Sequence, residues 1–78
     1  MKTIHEPAYR LLVSELRQAR VKSGLTQTAA GRLMGHNRNW IHKAETHELR
    51  LDVLQFVRLC RVYGLKAHDL VRRMGEEP

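Results

Sequence analysis

The residues with the most chemistry to offer lie in one stretch, Leu25 to Glu45, LTQTAAGRLMGHNRNWIHKAE. If the segment around Arg38, Asn39, His42 and Lys43 is helical, Arg38, Asn39 and His42 share one face by the three-to-four residue rule. Arginine and asparagine read guanine and adenine edges through paired hydrogen bonds. A lysine ammonium suits a phosphate. The chemistry predicted is therefore recognition of a DNA major groove. Plainer roles stand beside it: Asn39 could supply a helix-capping bond, and a charged face can be solvated surface. His42 could meet base or phosphate. Trp40, next to this face, is expected on the DNA side, against a sugar–phosphate strand or a thymine methyl. It could equally cover Met34 or meet a second subunit.

Two short helices joined by a tight turn would hold this face outward. Thr26 is a good N-cap, because its hydroxyl can accept a hydrogen bond from a free backbone N–H. Gln27 to Met34 favours helix, apart from Gly31. Gly35 falls where the chain must leave the helix, and glycine takes the left-handed conformation at little cost. Asn37 is again an N-cap type, and the next helix runs from Arg38 to Glu45. Helix, short turn with glycine, helix is the sequence form of a helix-turn-helix. Leu25, Ala30, Met34 and Ile41 can turn inward together. Ala29 and Ala30 are small enough for a close crossing, and Gly31 allows closer approach at a propensity cost of about 1 kcal/mol. The first helix of the pair starts at Gln27, and its free amides carry positive partial charge that suits a phosphate. The bland reading of Gln27 is an exposed glutamine.

Composition agrees with a polyanionic partner. The 78 residues make one small domain, 1–78, with a net charge of +6 and an isoelectric point near 10.3. Such a core is marginal alone, so a second subunit is expected to support it. Between Leu16 and Ala44 lie Arg17, Arg20, Lys22, Arg32, Arg38 and Lys43, with no acid among them. The acids flank this block. Cys60 has no second cysteine to pair with. No apolar run approaches the ~20 residues that span a bilayer, and MKTIHEPAYR lacks the apolar core of a signal peptide. These features point to a reducing cell interior, with no membrane partner.

The rest of the chain reads as helix. Met1 to Glu6 form an arm, and Pro7 suits the first position of a helix to Lys22. Tyr9, Leu12, Val13, Leu16 and Ala19 are its apolar side. Thr46 to Leu51 is a polar loop. Asp52 caps a helix from Val53 to Tyr63, stopped by Gly64, and Ala67 to Met74 is a last short helix before a tail, Gly75 to Pro78. On the fourth helix Val53, Phe56, Leu59, Cys60 and Tyr63 form one arc, while Leu54, Val57 and Val62 fall at or beyond its edge. With Val71 and Met74 they are the expected dimer interface, since one core cannot cover so much apolar surface. A slightly apolar surface is the alternative. His36, His42 and His47 lack the i, i+4 ligand spacing and there is no CxxC, so no metal or other cofactor is expected. No nucleophile, paired-carboxylate or phosphate-loop arrangement marks an enzyme.

Thr26-Gln27, Gly35, Asn37, Ile41, Lys43 and Glu45, with Arg20 upstream and Leu49 to Leu70 downstream, resemble the phage-repressor/Cro (Xre-type) helix-turn-helix family. The resemblance covers roughly Leu12 to Met74. It implies an all-α, compact five-helix domain, a bacterial or phage-encoded, nucleoid-associated cytoplasmic protein, and a homodimeric repressor or autoregulator on a palindromic operator. It implies an ion pair between Arg20 and Glu45, tying the first helix to the end of the recognition helix. It places Arg50 near the DNA backbone, and gives Gln27 a DNA contact as well as a bracing role. Ala30, Gly31 and Ala44 depart from larger family residues and suggest a thinner core between the two helices. His47 stands where glycine is common. An alternative function within the family is an antitoxin that binds a toxin protein and autoregulates its operon. A restriction–modification controller would share the DNA mechanism.

Overall fold

The three middle helices each begin at a side chain that supplies a hydrogen bond the first turn lacks. In the computed structural model, which describes residues 6–76, the helices are α1 (Pro7–Lys22), α2 (Gln27–Leu33), α3 (Arg38–Glu45), α4 (Val53–Val62) and α5 (Ala67–Glu76). Thr26 Oγ1 accepts from Ala29 N at 3.0 Å to start α2. Asn37 Oδ1 accepts from Trp40 N at 3.0 Å to start α3. At α4 the exchange is reciprocal. Asp52 Oδ1 accepts from Gln55 N at 2.8 Å, and Gln55 Oε1 accepts from Asp52 N at 2.9 Å. Caps of this kind contribute about 1 kcal/mol each. No strand occurs among the described residues.

The core gathers Leu16, Ala30, Ile41, Ala44, Leu51, Phe56, Leu59, Cys60, Tyr63 and Leu70. All five helices contribute, and so does the loop before α4. That loop is less polar than its residue types suggest, since Leu51 is buried and Leu49 packs against the core. Cys60 is a packing residue, and burial raises its thiol pKa. A void of ≈ 10 Å³ lies beside Ile41 and Ala44, lined also from α1 and α4 by Leu16 and Leu59. Between α2 and α3 the small residues let the two helices close on one another, with Ala30 fully buried. Gly31 is buried, and a β-carbon there would sit 2.5 Å from the Asn37 carbonyl oxygen. The turn between α2 and α3 therefore lies directly on Gly31. Gly35 adopts φ +74° in the same turn.

Three expectations need correction. Val53 is not on the core side of α4: as its first residue it lies beyond the core edge and is 76% exposed. Val62, expected among the polar residues of α4, is half-buried against the core, as is Val57 at its margin. Helix α5 does not stop at Met74. Gly75 keeps a helical rather than left-handed backbone, and the helix reaches Glu76. The expected arm lies outside the described residues except for Glu6, the extended residue leading into α1. Residues 77 and 78 of the expected tail also lie outside them. His47 adopts the left-handed conformation its family glycine would take, at φ +67°, which costs a β-carbon-bearing residue about 1–2 kcal/mol.

The contact at Gly31 makes a prediction against helix propensity. Alanine should gain about 1 kcal/mol of propensity, yet overpacking against backbone costs roughly 1–3 kcal/mol. Gly31→Ala is therefore expected to lower the melting temperature. A variant melting at or above the parent would show that the turn does not rest on this glycine.

Candidate nucleic-acid interface

The geometry of the exposed face begins with a buried charge. Glu45 closes α3, where the helix dipole disfavours a carboxylate, and its side chain is only 8% exposed. Arg20, 9% exposed at its side chain, answers it. Arg20 Nε donates to Glu45 Oε2 at 2.6 Å and Nη2 donates to Oε1 at 3.2 Å. The third nitrogen, Nη1, donates to the Leu25 carbonyl at 2.8 Å. Gln27 Nε2 donates to Glu45 Oε1 at 3.0 Å. One guanidinium thus joins the end of α1, the residue before the α2 cap and the end of α3, and Gln27 adds the start of α2. Arg17 stands further off, at 3.9 Å from Glu45 Oε1, and is 60% exposed. Tyr63, at the end of α4, packs near this cluster. Burial, then the Glu45 charge, push its phenol up to about 12, with Arg20 partly opposing.

With its end fixed, α3 buries Ile41 and Ala44 and turns Arg38, Asn39, His42 and Lys43 to solvent. These four bring together guanidinium, carboxamide, imidazole and ammonium groups on one short helix. That set can hydrogen-bond to both base edges and phosphates. Asn37 makes the capping bond to α3, so Asn39 is available on the exposed side. Arg50 is exposed in the loop after α3. Gln27 is half-buried, its amide nitrogen engaged by Glu45.

Trp40 is placed less openly than its neighbours. It is half-buried, packs against the core, and stacks on His36 with ring centroids 4.3 Å apart and planes 5° from parallel. From sequence His36 is weighed only as a metal ligand, although its four-residue offset from Trp40 is the available signal for this stack. Tyr9 is read only as part of the apolar side of α1, yet its hydroxyl accepts from Leu51 N at 2.9 Å. The expected dimer residues are spread over more than one groove. Val71 and Met74 line an open apolar groove of about 300 Å³ with Tyr9, Leu12, Val53 and Phe56. Val62 lines a different groove with Leu33, Arg58 and Arg61. Leu54 is 67% exposed, and Val57 is half-buried against the core. No group of three or more His, Cys, Asp or Glu that could hold a metal ion occurs among the described residues. Among them, no helix is long and apolar enough to cross a membrane.

The model of a family described as "Helix-turn-helix domain" matches residues 11–74. A solved structure described as an XRE-family like protein from Pseudomonas syringae pv. tomato str. DC3000 superposes with a TM-score of 0.85. It is 33% identical, over 94% of this chain and 89% of that one. Among curated proteins no sequence matches.

The clamp separates two neighbouring arginines. Removing Arg20 strands a buried carboxylate, a loss of roughly 3–5 kcal/mol. The exposed, distant Arg17 contact is worth about 0–1 kcal/mol. Arg20→Ala should therefore melt well below Arg17→Ala, and equal melting temperatures would refute the clamp.

Proposed function

The chain belongs to the Xre-type helix-turn-helix family of DNA-binding regulators, and on that premise we propose that it is a homodimeric repressor or autoregulator that reads a palindromic operator. In this reading α3 enters the major groove. Arg38 and Asn39, in its first turn, meet base edges. His42 meets base or phosphate. Lys43, Arg50 and Gln27 hold the sugar–phosphate strands, and Trp40 flanks the contact through its stacked ring. Two subunits would present α3 to half-sites one helical turn apart, about 34 Å. The observation that carries the reading is the division of α3 itself: Ile41 and Ala44 are buried while Arg38, Asn39, His42 and Lys43 are exposed. Leu54, Val57, Val62, Val71 and Met74 are the candidates for contact between subunits.

One observation favours a second reading. The apolar groove walled by Tyr9, Leu12, Val53, Phe56, Val71 and Met74 is open, and it suits a protein partner as well as a second copy. An antitoxin that binds a toxin through this groove, and DNA through α3, would use both surfaces. Molar mass of the purified protein, with and without chains that co-purify, distinguishes the two.

The division of labour on α3 is testable with a duplex selected from random DNA and a scrambled control. Arg38→Ala should lose about 1–3 kcal/mol of discrimination between them. Lys43→Ala should weaken both alike and flatten the log–log salt dependence by about 0.9. Loss of discrimination in Lys43→Ala but not in Arg38→Ala would reverse these roles. Absence of discrimination by the parent protein would remove the reading.

A further inference from the structure

We propose that Tyr9, on a helix remote in sequence from the reading face, is the positioning residue for Arg50. The inference rests on the reading that Arg50 meets a DNA phosphate, and it names what holds that contact in place. Tyr9 touches the loop on both sides of Arg50. Its hydroxyl accepts from the Leu51 amide at 2.9 Å, and its ring meets the His47 ring edge-on, with centroids 6.4 Å apart and planes at 61°. The Leu51 N–H belongs to the peptide unit that begins at the Arg50 carbonyl. Because that unit is planar, holding its N–H also restrains rotation about the Arg50 Cα–C bond. The hydroxyl therefore sets the backbone from which the Arg50 side chain departs.

The loop needs such an external tie. His47 holds a left-handed backbone, φ +67°, and a side-chain-bearing residue keeps that conformation only where its surroundings over-determine it. Several contacts do so. The amides of Glu48 and Leu49 both donate to the Lys43 carbonyl, at 2.9 and 3.0 Å. Thr46 Oγ1 donates to Glu48 Oε2 at 2.8 Å. Leu51 is anchored in the core. These contacts fix the near side of the loop to α3 and its far end to the core. Tyr9 is the residue of α1 that joins His47 to Leu51 across the segment between them, and it lines the same groove as Arg50. A long arginine loses rotamer freedom on binding. A fixed starting backbone reduces what must be ordered at that moment.

The test uses Tyr9→Phe, which keeps the ring and removes only the oxygen that Leu51 N–H donates to. Tyr9→Phe, Arg50→Ala and the double variant are compared with the parent on a scrambled duplex over a range of salt, with circular dichroism and melting temperature recorded alongside. Arg50→Ala should flatten the log–log salt slope by about 0.9. Tyr9→Phe should flatten it in the same direction by part of that amount while helix content stays at the parent value. Added to Arg50→Ala, it should change affinity and slope no further, because the two residues act on one contact. A parental slope in Tyr9→Phe overturns the inference, including where its melting temperature falls, since that pattern marks a purely structural tyrosine. Additive effects in the double variant overturn it as well. An unchanged slope in Arg50→Ala removes the phosphate contact itself and the inference with it. The discrimination lost in Arg38→Ala tests the groove-reading helix separately.

Discussion

A single carboxylate at the wrong end of a helix organises this domain. Glu45 sits where the α3 dipole repels negative charge, and it is almost excluded from water. It is tolerated because Arg20 places two guanidinium nitrogens on it and Gln27 adds an amide. Such a pair is weak evidence of net stability, since desolvation offsets the attraction. Its value here is geometric. The planar fork of Arg20 reaches Glu45 and the Leu25 carbonyl at once, so α1, the entry to α2 and the end of α3 have little freedom to shift independently. Gln27 belongs to this clamp before it belongs to any DNA contact.

The far end of α3 is fixed by closeness instead of charge. Gly31 lies under the Asn37 carbonyl, and the His36 amide donates to the Gly31 carbonyl at 2.8 Å. Small residues at Ala30 and Ala44, both buried, let the two helices come together. Between a glycine contact at its start and an ion pair at its end, α3 has its buried side determined. Its opposite side, Arg38, Asn39, His42 and Lys43, is exposed as a result.

Features set by neighbouring residues were legible in the sequence. The caps at Thr26, Asn37 and Asp52 act within three residues, so residue type and position suffice to find them. The left-handed turn at Gly35 is equally local. Features that join distant segments were harder to see. The approach of Tyr9 to Leu51 spans 42 residues, and nothing in the spacing of α1 announces it. Val62 was misplaced because a helical wheel shows one arc and not the neighbours that pack beside it. His47 shows that a position suited to glycine can keep its backbone geometry with another residue when tertiary contacts hold it. Arg20 and Glu45 were found through family resemblance; their shared burial required the fold.

The central claim is that this clamped helix presents its polar side to DNA. Amide chemical-shift mapping during titration with a selected duplex tests it most directly. The largest changes should fall on Gln27, on Arg38 to Lys43 and on the loop around Arg50, with the Arg20 and Glu45 signals retaining their free-state pairing. Changes confined to α4 and α5, with α3 silent, would contradict the account.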